Sequence, residues 1–213
     1  MKTDELISLL AAGATPVDPN TGARRFGLAL GWGGLGAALL MAVTLGVRPD
    51  LGQVALMPMF WMKLAFPASL AVAGFFAAER LSRPGMRLGG VWAGLAVPVL
   101  LVWLTGIGAF VDAAPAQRQA LVFGTTWAYC TFNIAMLSTP AFIGIFWAMK
   151  GLAPTCPVLA GAGGGLLAGA VGAFVFAFHC PEMAAPFLAI WYVAGMAIPA
   201  LAGAVLGPRL LHW

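Results

Sequence analysis

The sequence predicts an all-α fold: a polytopic bundle of six transmembrane helices with both the N-terminus and the C-terminus in the cytoplasm. Three observations lead to this prediction. The 213 residues are 62% hydrophobic and only 8% charged, whereas a soluble domain carries about 25% charged residues. The apolar runs are continuous rather than alternating, which is typical of spanning helices. Lysine and arginine are concentrated on alternate connections between those runs, and this bias sets the orientation.

Six apolar runs predict the spans, because about 20 such residues cross the hydrocarbon core of a bilayer. The runs cover residues 26–47, 54–78, 88–111, 126–149, 158–178 and 186–206. The connections between them are short. We therefore expect residues 26–213 to form one bundle and residues 1–25 to form a cytoplasmic N-terminal segment.

The orientation follows from the basic residues, since short connections rich in lysine and arginine stay in the cytoplasm. With a cytoplasmic N-terminus, eight basic residues fall inside and only Arg48 and Arg118 fall outside. The eight are Lys2, Arg24, Arg25, Arg80, Arg83, Arg87, Lys150 and Arg209. The net charge of +4 therefore reports membrane topology, and it gives no reason to expect direct contact with nucleic acid.

Glycines at four-residue spacing predict close contacts between helices, because they let two backbones approach each other. The pattern occurs in spans three, five and six, at Gly90 and Gly94, at Gly161, Gly165 and Gly169, and at Gly203 and Gly207. We expect these glycines to pack the helices of one chain. The alternative is that span five presents its glycines to a second copy in a homodimer.

The sequence lacks the common motifs of enzymes and of coupled transporters. It has no nucleotide-binding loop, no HExxH and no carboxylate in the middle of a predicted span, where ion-coupled transporters usually keep ionisable groups. We therefore expect neither an enzyme nor a cofactor. The alternatives are a membrane thiol oxidoreductase, which would normally use a CxxC pair, and a small-solute permease.

Lys63 is the one basic residue inside a predicted span, about nine residues from the outer start of span two. Helical side chains lean toward the N-terminus of their helix, so its ammonium is expected to snorkel toward the outer face. The alternative is a functional role beside the cysteines of that side, where a buried cation favours a thiolate.

Two cysteines share the predicted outer side: Cys130 near the outer end of span four, just after its start, and Cys180 in the last outer loop, beside Glu182. That side is the oxidising periplasm, in which disulfides persist. Three interpretations stay open. The cysteines are small buried hydrophobic residues, they form a reversible disulfide, or they bind a soft metal together with His179. Cys156 falls on the reducing side, and we expect it to be incidental.

The N-terminal segment begins with a predicted short amphipathic helix. Asp4 and Glu5 fall in its first turn, where negative charge is favourable, and Leu6, Leu9 and Leu10 form an apolar stripe. The stripe either lies on the membrane surface or binds a partner protein in a groove. Its acidic start makes the helix a poor ligand for anionic lipid.

Several of these residues occur in motifs that resemble the NrsF family of membrane anti-sigma factors. The motifs are MKTDELI at 1–7, WMKLAFP at 61–67, Cys130, HCPE at 179–182 and the pair Trp191-Tyr192. The resemblance covers essentially the whole chain, and the HCPE block is its most specific part. It implies a six-span protein of a bacterial inner membrane that holds an extracytoplasmic-function sigma factor inactive.

The same resemblance implies that Cys130 and Cys180 are the periplasm-facing cysteines with which such proteins sense heavy-metal or oxidative stress. We expect spans four and six to pack together there, so that a change at the cysteines alters how the sigma factor is held. Lys63, His179 and Glu182 complete the candidate sensor. The candidate partner-binding residues are Asp4, Glu5, Leu6, Leu9 and Leu10.

Overall fold

A computed structural model describes residues 3–12 and 21–212, apart from the side chains of Leu6, Leu10 and Thr21. All regular secondary structure in this part of the chain is helical. The helices are α1 (Thr3–Ala12), α2 (Thr21–Thr44), α3 (Leu51–Val54), α4 (Pro58–Leu81), α5 (Val91–Asp112), α6 (Pro115–Phe123), α7 (Trp127–Met149), α8 (Pro157–Phe176), α9 (Ala185–Phe187) and α10 (Val193–Leu210), with a π-helical turn (Leu188–Tyr192) between α9 and α10.

Six stretches of the described residues are long and apolar enough to cross a membrane, which confirms the predicted number of spans. In chain order they are Gly22–Thr44, Pro58–Leu81, Val91–Asp112, Pro115–Met149, Pro157–Phe176 and Ala185–Leu210. The fourth combines α6 with α7, and the sixth combines α9, the π-helical turn and α10. The chain is a multi-pass membrane protein of the predicted all-α class.

Some helix boundaries differ from the prediction. The helix α2 begins at Thr21, inside the stretch expected to remain outside the bundle. Span two does not run from residue 54, because α3 ends there and α4 begins at Pro58. Proline favours the first turn of a helix, since it lacks the N–H that would be unpaired there. For the same reason Pro115 begins α6, a helix that lies where only a short connection is expected.

The helix α8 occupies the centre of the bundle. It packs against α10, α4 and α7, and more sparsely against α2. Of the most apolar 18-residue stretch of its span, 67% is buried inside the protein. The corresponding share in span three is 11%. The helix α5, which forms span three, packs on α4 and α9 and leaves most of its apolar surface for lipid.

Glycines bring α8 and α10 into backbone contact. A Cβ atom at Gly161 would overlap the carbonyl oxygen of Gly203, and one at Gly165 would overlap that of Pro199. A Cβ atom at Gly203 would in turn overlap the carbonyl oxygen of Gly161. These glycines therefore pack helices of one chain, as predicted. The alternative of a dimer face on span five is wrong for these positions, because α10 already covers them. The prediction of a packing role is wrong for Gly90, since no atom of a neighbouring helix in the described chain lies within 4 Å of a Cβ atom built there.

The two ends of the bundle bring different residues together. At one end, which we call the Cys180 end, the Arg48 side chain contacts the loop of residues 179–182. At the other, which we call the Arg83 end, the Arg83 guanidinium lies beside Gly22 at the start of α2. The orientation predicted from the charges places the Cys180 end in the periplasm and the Arg83 end in the cytoplasm.

Candidate functional site

Residues 179–182, with the sequence HCPE, connect α8 to α9 and form what we call the 179–182 loop. The backbone N–H of Cys180 still donates to the carbonyl oxygen of Phe176, at 3.0 Å, so the last turn of α8 extends to this residue. Pro181 has no N–H and cannot continue the helix. The chain therefore leaves the helix direction and crosses the Cys180 end of the bundle.

Cys130 and Cys180 are completely buried, each with 0% of its surface exposed, and both thiols are free. They belong to one apolar cluster, which also contains Tyr192. Because α7 packs against the π-helical turn and α10, spans four and six are neighbours, as predicted. The structure thus brings both predicted cysteines to one site. The third cysteine, Cys156, is exposed and precedes α8 at the far end of that helix.

Lys63 is also completely buried, and its ammonium ends on the 179–182 loop. Its Nζ donates hydrogen bonds to the carbonyl oxygens of Cys180, at 2.6 Å, and Glu182, at 2.8 Å. It lies 5.6 Å from the centre of the Tyr192 ring. The side chain leans toward the predicted outer end of α4. It does not snorkel into water, because the loop carbonyls take the place of solvent.

Arg48 approaches the same loop from the connection between α2 and α3. Its Nη1 lies 3.3 Å from the carbonyl oxygen of Cys180, while Nε and Nη2 pair with the carboxylate of Asp50 at 2.7 and 2.8 Å. The hydrogen bonds from Arg48 lower the pKa of the Asp50 carboxyl below its usual value, because they stabilise the charged form. The carbonyl of Cys180 therefore faces two cations, the second of which is already neutralised by a carboxylate.

The Glu182 carboxylate ties the loop to the start of α7. Its Oε1 accepts hydrogen bonds from the backbone N–H and the hydroxyl of Thr125, each at 2.7 Å, and from the hydroxyl of Thr126 at 3.5 Å. Gly124 makes room for this contact. Its φ of +53° lies in the left-handed region that favours glycine, and a Cβ atom there would collide with the carboxylate.

The His179 side chain contacts residues other than the two cysteines. Its Nδ1 lies 2.9 Å from the carbonyl oxygen of Gly46, and its ring packs against Phe176. Within residues 3–12 and 21–212, no group of three or more His, Cys, Asp and Glu side chains is placed to hold a metal ion. The predicted metal set of Cys130, Cys180 and His179 is therefore not assembled in this structure, because the imidazole holds the connection that follows α2.

Tyr192 and Arg48 belong to this site although the sequence patterns gave neither residue a role in it. Tyr192 lies at the end of the π-helical turn, a form of helix that is frequent at functional sites. Its hydroxyl is buried beside the Cys180 side chain. The Trp191-Tyr192 pair of the family motif could have pointed to Tyr192. The position of Arg48 in the sequence indicates only the membrane topology.

The candidate partner-binding residues lie in α1 (Thr3–Ala12), as predicted for a short N-terminal helix. Asp4, Glu5 and Leu9 are exposed, and Leu9 leaves 65% of its surface open. The side chains of Leu6 and Leu10 lie outside the part of the chain that the structure describes. The structure therefore places Asp4, Glu5 and Leu9 at the surface of α1.

Comparisons with known proteins agree over the whole chain. A family model described as "Negative regulator of sigma F", NrsF, matches residues 10–213. The probable anti-sigma-F factor NrsF of Azospira oryzae is 50% identical over 213 residues, which cover 100% of both chains. The anti-sigma-F factor NrsF of Caulobacter vibrioides is 40% identical over 218 residues, again covering 100% of both. No solved structure matches the chain.

Proposed function

The chain belongs to the NrsF family of negative regulators of sigma F, and from this membership we propose that it is a membrane anti-sigma factor. It holds a sigma factor of the extracytoplasmic-function class at a bacterial inner membrane, and it releases that partner on periplasmic redox or heavy-metal stress. The sensing residues are Cys130 and Cys180. The activity is regulatory rather than enzymatic.

The observation that carries this proposal is the family match over residues 10–213, supported by a relative that is 50% identical from end to end. The fold is consistent with it. Nearly all of the described chain lies in spans and short connections, and α1, which lies outside the spans, carries the exposed leucine expected of a partner-binding segment.

Release requires two packings of the bundle that lie within a few kcal/mol of each other and differ in their affinity for the sigma factor. The cysteine pair is placed to bias such an equilibrium. Cys130 is part of α7, and Cys180 connects α8 to α9, so a new bond at either thiol changes the contacts between spans four, five and six. The central α8 packs against four other helices and would pass that change to the Arg83 end.

The direct test is affinity capture of the full-length chain from native membranes, followed by mass spectrometry. We expect a sigma factor to be recovered with the chain from unstressed cells and to be lost after treatment with an oxidant or a thiophilic metal. Recovery of no sigma factor, together with the absorption spectrum of a bound quinone, would instead support a thiol oxidoreductase.

Changing Leu6→Asp together with Leu10→Asp is expected to release the sigma factor while membrane insertion stays intact. Each buried leucine contributes roughly 1.5 to 3 kcal/mol, so the loss of two should weaken binding at least about a hundredfold. Binding of the purified sigma factor to the variant in detergent, measured beside the parent chain, gives the change in Kd.

The matched control for this variant is Ser8→Asp with Ala12→Asp, which adds the same two charges on the opposite side of α1. Both control positions are exposed, so their substitution should leave binding within a few-fold of the parent. If the leucine variant still represses normally at normal expression, the contact surface lies elsewhere, and the connection from Glu79 to Arg87 becomes the next segment to test.

Reporter fusions test the orientation, which the distribution of lysine and arginine predicts. A reporter fused after Arg83 or at the C-terminus should show cytoplasmic activity, and one fused after Ala114 should show periplasmic activity. A periplasmic C-terminus would contradict the orientation and would place both buried cysteines on the reducing side.

A further inference from the structure

Both candidate sensing thiols are sealed inside the protein. Cys130 and Cys180 expose 0% of their surface, whereas thiols that respond to redox chemistry are generally accessible to solvent. A reagent dissolved in water therefore cannot reach them in this conformation. If the proposed function is right, some part of the Cys180 end must open first, and the part that crosses this end is the 179–182 loop.

Lys63 holds the middle of that loop. Its ammonium donates to the carbonyl oxygens of Cys180 and Glu182, at 2.6 and 2.8 Å, and hydrogen bonds from a charged donor are about twice as strong as neutral ones. Within the described residues Lys63 has no salt-bridge partner. The loop carbonyls and the face of Tyr192 are therefore what stabilises this buried charge.

The same arrangement lowers the free energy that opening the loop would cost. A buried ammonium gives up the hydration that it has in water, and neutral carbonyls restore only part of that free energy. When the loop opens, Lys63 loses two hydrogen bonds but regains water. This regained hydration offsets part of the free energy that opening the loop would cost.

The Glu182 end of the loop has a second attachment, which acts together with Lys63. The Glu182 carboxylate accepts two hydrogen bonds of 2.7 Å from Thr125, at the junction of α6 and α7. Lys63 belongs to α4 and Thr125 precedes α7, so the loop bridges two spans at the point where it carries the buried Cys180. Movement of either span relative to the other would pull on these attachments.

We propose that Lys63 and Glu182 are positioning residues that together latch the 179–182 loop in the closed position in which Cys130 and Cys180 are buried, and that release of this latch is the step that admits a stress reagent to the thiols. This inference rests on the proposed function for its biological meaning. The latch itself is a property of the isolated chain and is tested without the sigma factor.

The test measures the rate at which N-ethylmaleimide, a neutral thiol reagent, modifies Cys130 and Cys180 in the purified full-length chain. Cys156→Ser serves as the background, since that exposed thiol would react first. Mass spectrometry of the digested protein reports each cysteine separately. We expect Lys63→Met to raise both rates at least about tenfold, because the variant loses two hydrogen bonds from a charged donor.

Two controls separate a latch from general destabilisation. Lys63→Arg keeps a cation that can donate to the two carbonyls and should react at nearly the parent rate. Lys150→Met removes an exposed lysine outside the 179–182 loop and should also leave the rates unchanged. The proposal is overturned if Lys63→Met reacts within twofold of the parent, or if Lys63→Arg reacts as fast as Lys63→Met.

A second variant covers the case in which Lys63→Met does not fold. Glu182→Gln keeps Lys63 and weakens only the attachment to Thr125, and we expect it to raise the rate at Cys180 several-fold while the thermal midpoint stays close to that of the parent. An unchanged rate in this variant would overturn the proposal. If the rates rise as expected but no sigma factor is ever captured, the latch stands and the proposed function fails.

Discussion

Gly165→Ala is expected to force α8 away from α10 and to lower the free energy of unfolding by at least about 2 kcal/mol, in the range of overpacked cores. The added Cβ atom would overlap the carbonyl oxygen of Pro199 and lies 2.9 Å from the Cα atom of Ala200. Neither is the end of a flexible side chain, so the helices themselves must move. Because α8 is the most buried helix of the bundle, that movement would loosen its other contacts as well.

The matched control is Gly31→Ala, which has the same chemistry at an open position in α2. No atom lies within 4 Å of a Cβ atom built there, and alanine is favoured over glycine inside a helix by roughly 0.5 to 1 kcal/mol. This variant should be as stable as the parent or slightly more so. Unfolding in mixed detergent micelles compares the three chains. Equal midpoints for Gly165→Ala and the parent would mean that α8 and α10 are not in backbone contact.

Cys130→Ser together with Cys180→Ser is expected to abolish the stress response while repression in unstressed cells persists. Serine has nearly the size of cysteine but cannot form a disulfide, and it is a poor ligand for soft metals. We expect a reporter driven by the sigma factor to stay near its unstressed level, at least about tenfold below the induced parent if each lost site removes 1.4 kcal/mol or more of coupling. Cys156→Ser should respond like the parent.

The direction of the effect distinguishes a lost sensor from a lost fold. A buried serine hydroxyl without a partner costs roughly 1 to 3 kcal/mol, and a chain that unfolded for this reason would release the sigma factor and raise the reporter without any stress. Loss of sensing keeps the reporter low under stress. Normal induction in the double variant would leave the two cysteines as packing residues.

The spans could be predicted closely because apolar length is a local property of the sequence. Six runs of about 20 residues match six helical stretches, and two of the ends that shifted did so at Pro58 and Pro115, which begin helices. The helix α6 and the π-helical turn could not be predicted in the same way. The first is short and has a polar face, and the second differs from the surrounding α-helix in hydrogen bonding rather than in composition.

The candidate site could be predicted in part because two kinds of its residues are rare in a membrane. A lysine inside a span and two cysteines on one predicted side stand out from the apolar background, and the structure places Lys63, Cys130 and Cys180 at one end of the bundle. The roles of Arg48 and Thr125 could not be predicted. Each depends on where the 179–182 loop comes to rest, and neither belongs to a neighbouring stretch of sequence.

Composition and the order of apolar and basic residues determined by themselves that this chain is a six-span helical membrane protein, because a bilayer accepts only segments that satisfy their own backbone. Only the tertiary structure decided what the special residues touch. Lys63 and Cys180 are 117 residues apart in the chain, yet their contact is 2.6 Å long. Such a contact depends on how α4 and α8 pack side by side. The burial of the ammonium and of the two thiols therefore follows from the assembly of the bundle, not from any single stretch of sequence.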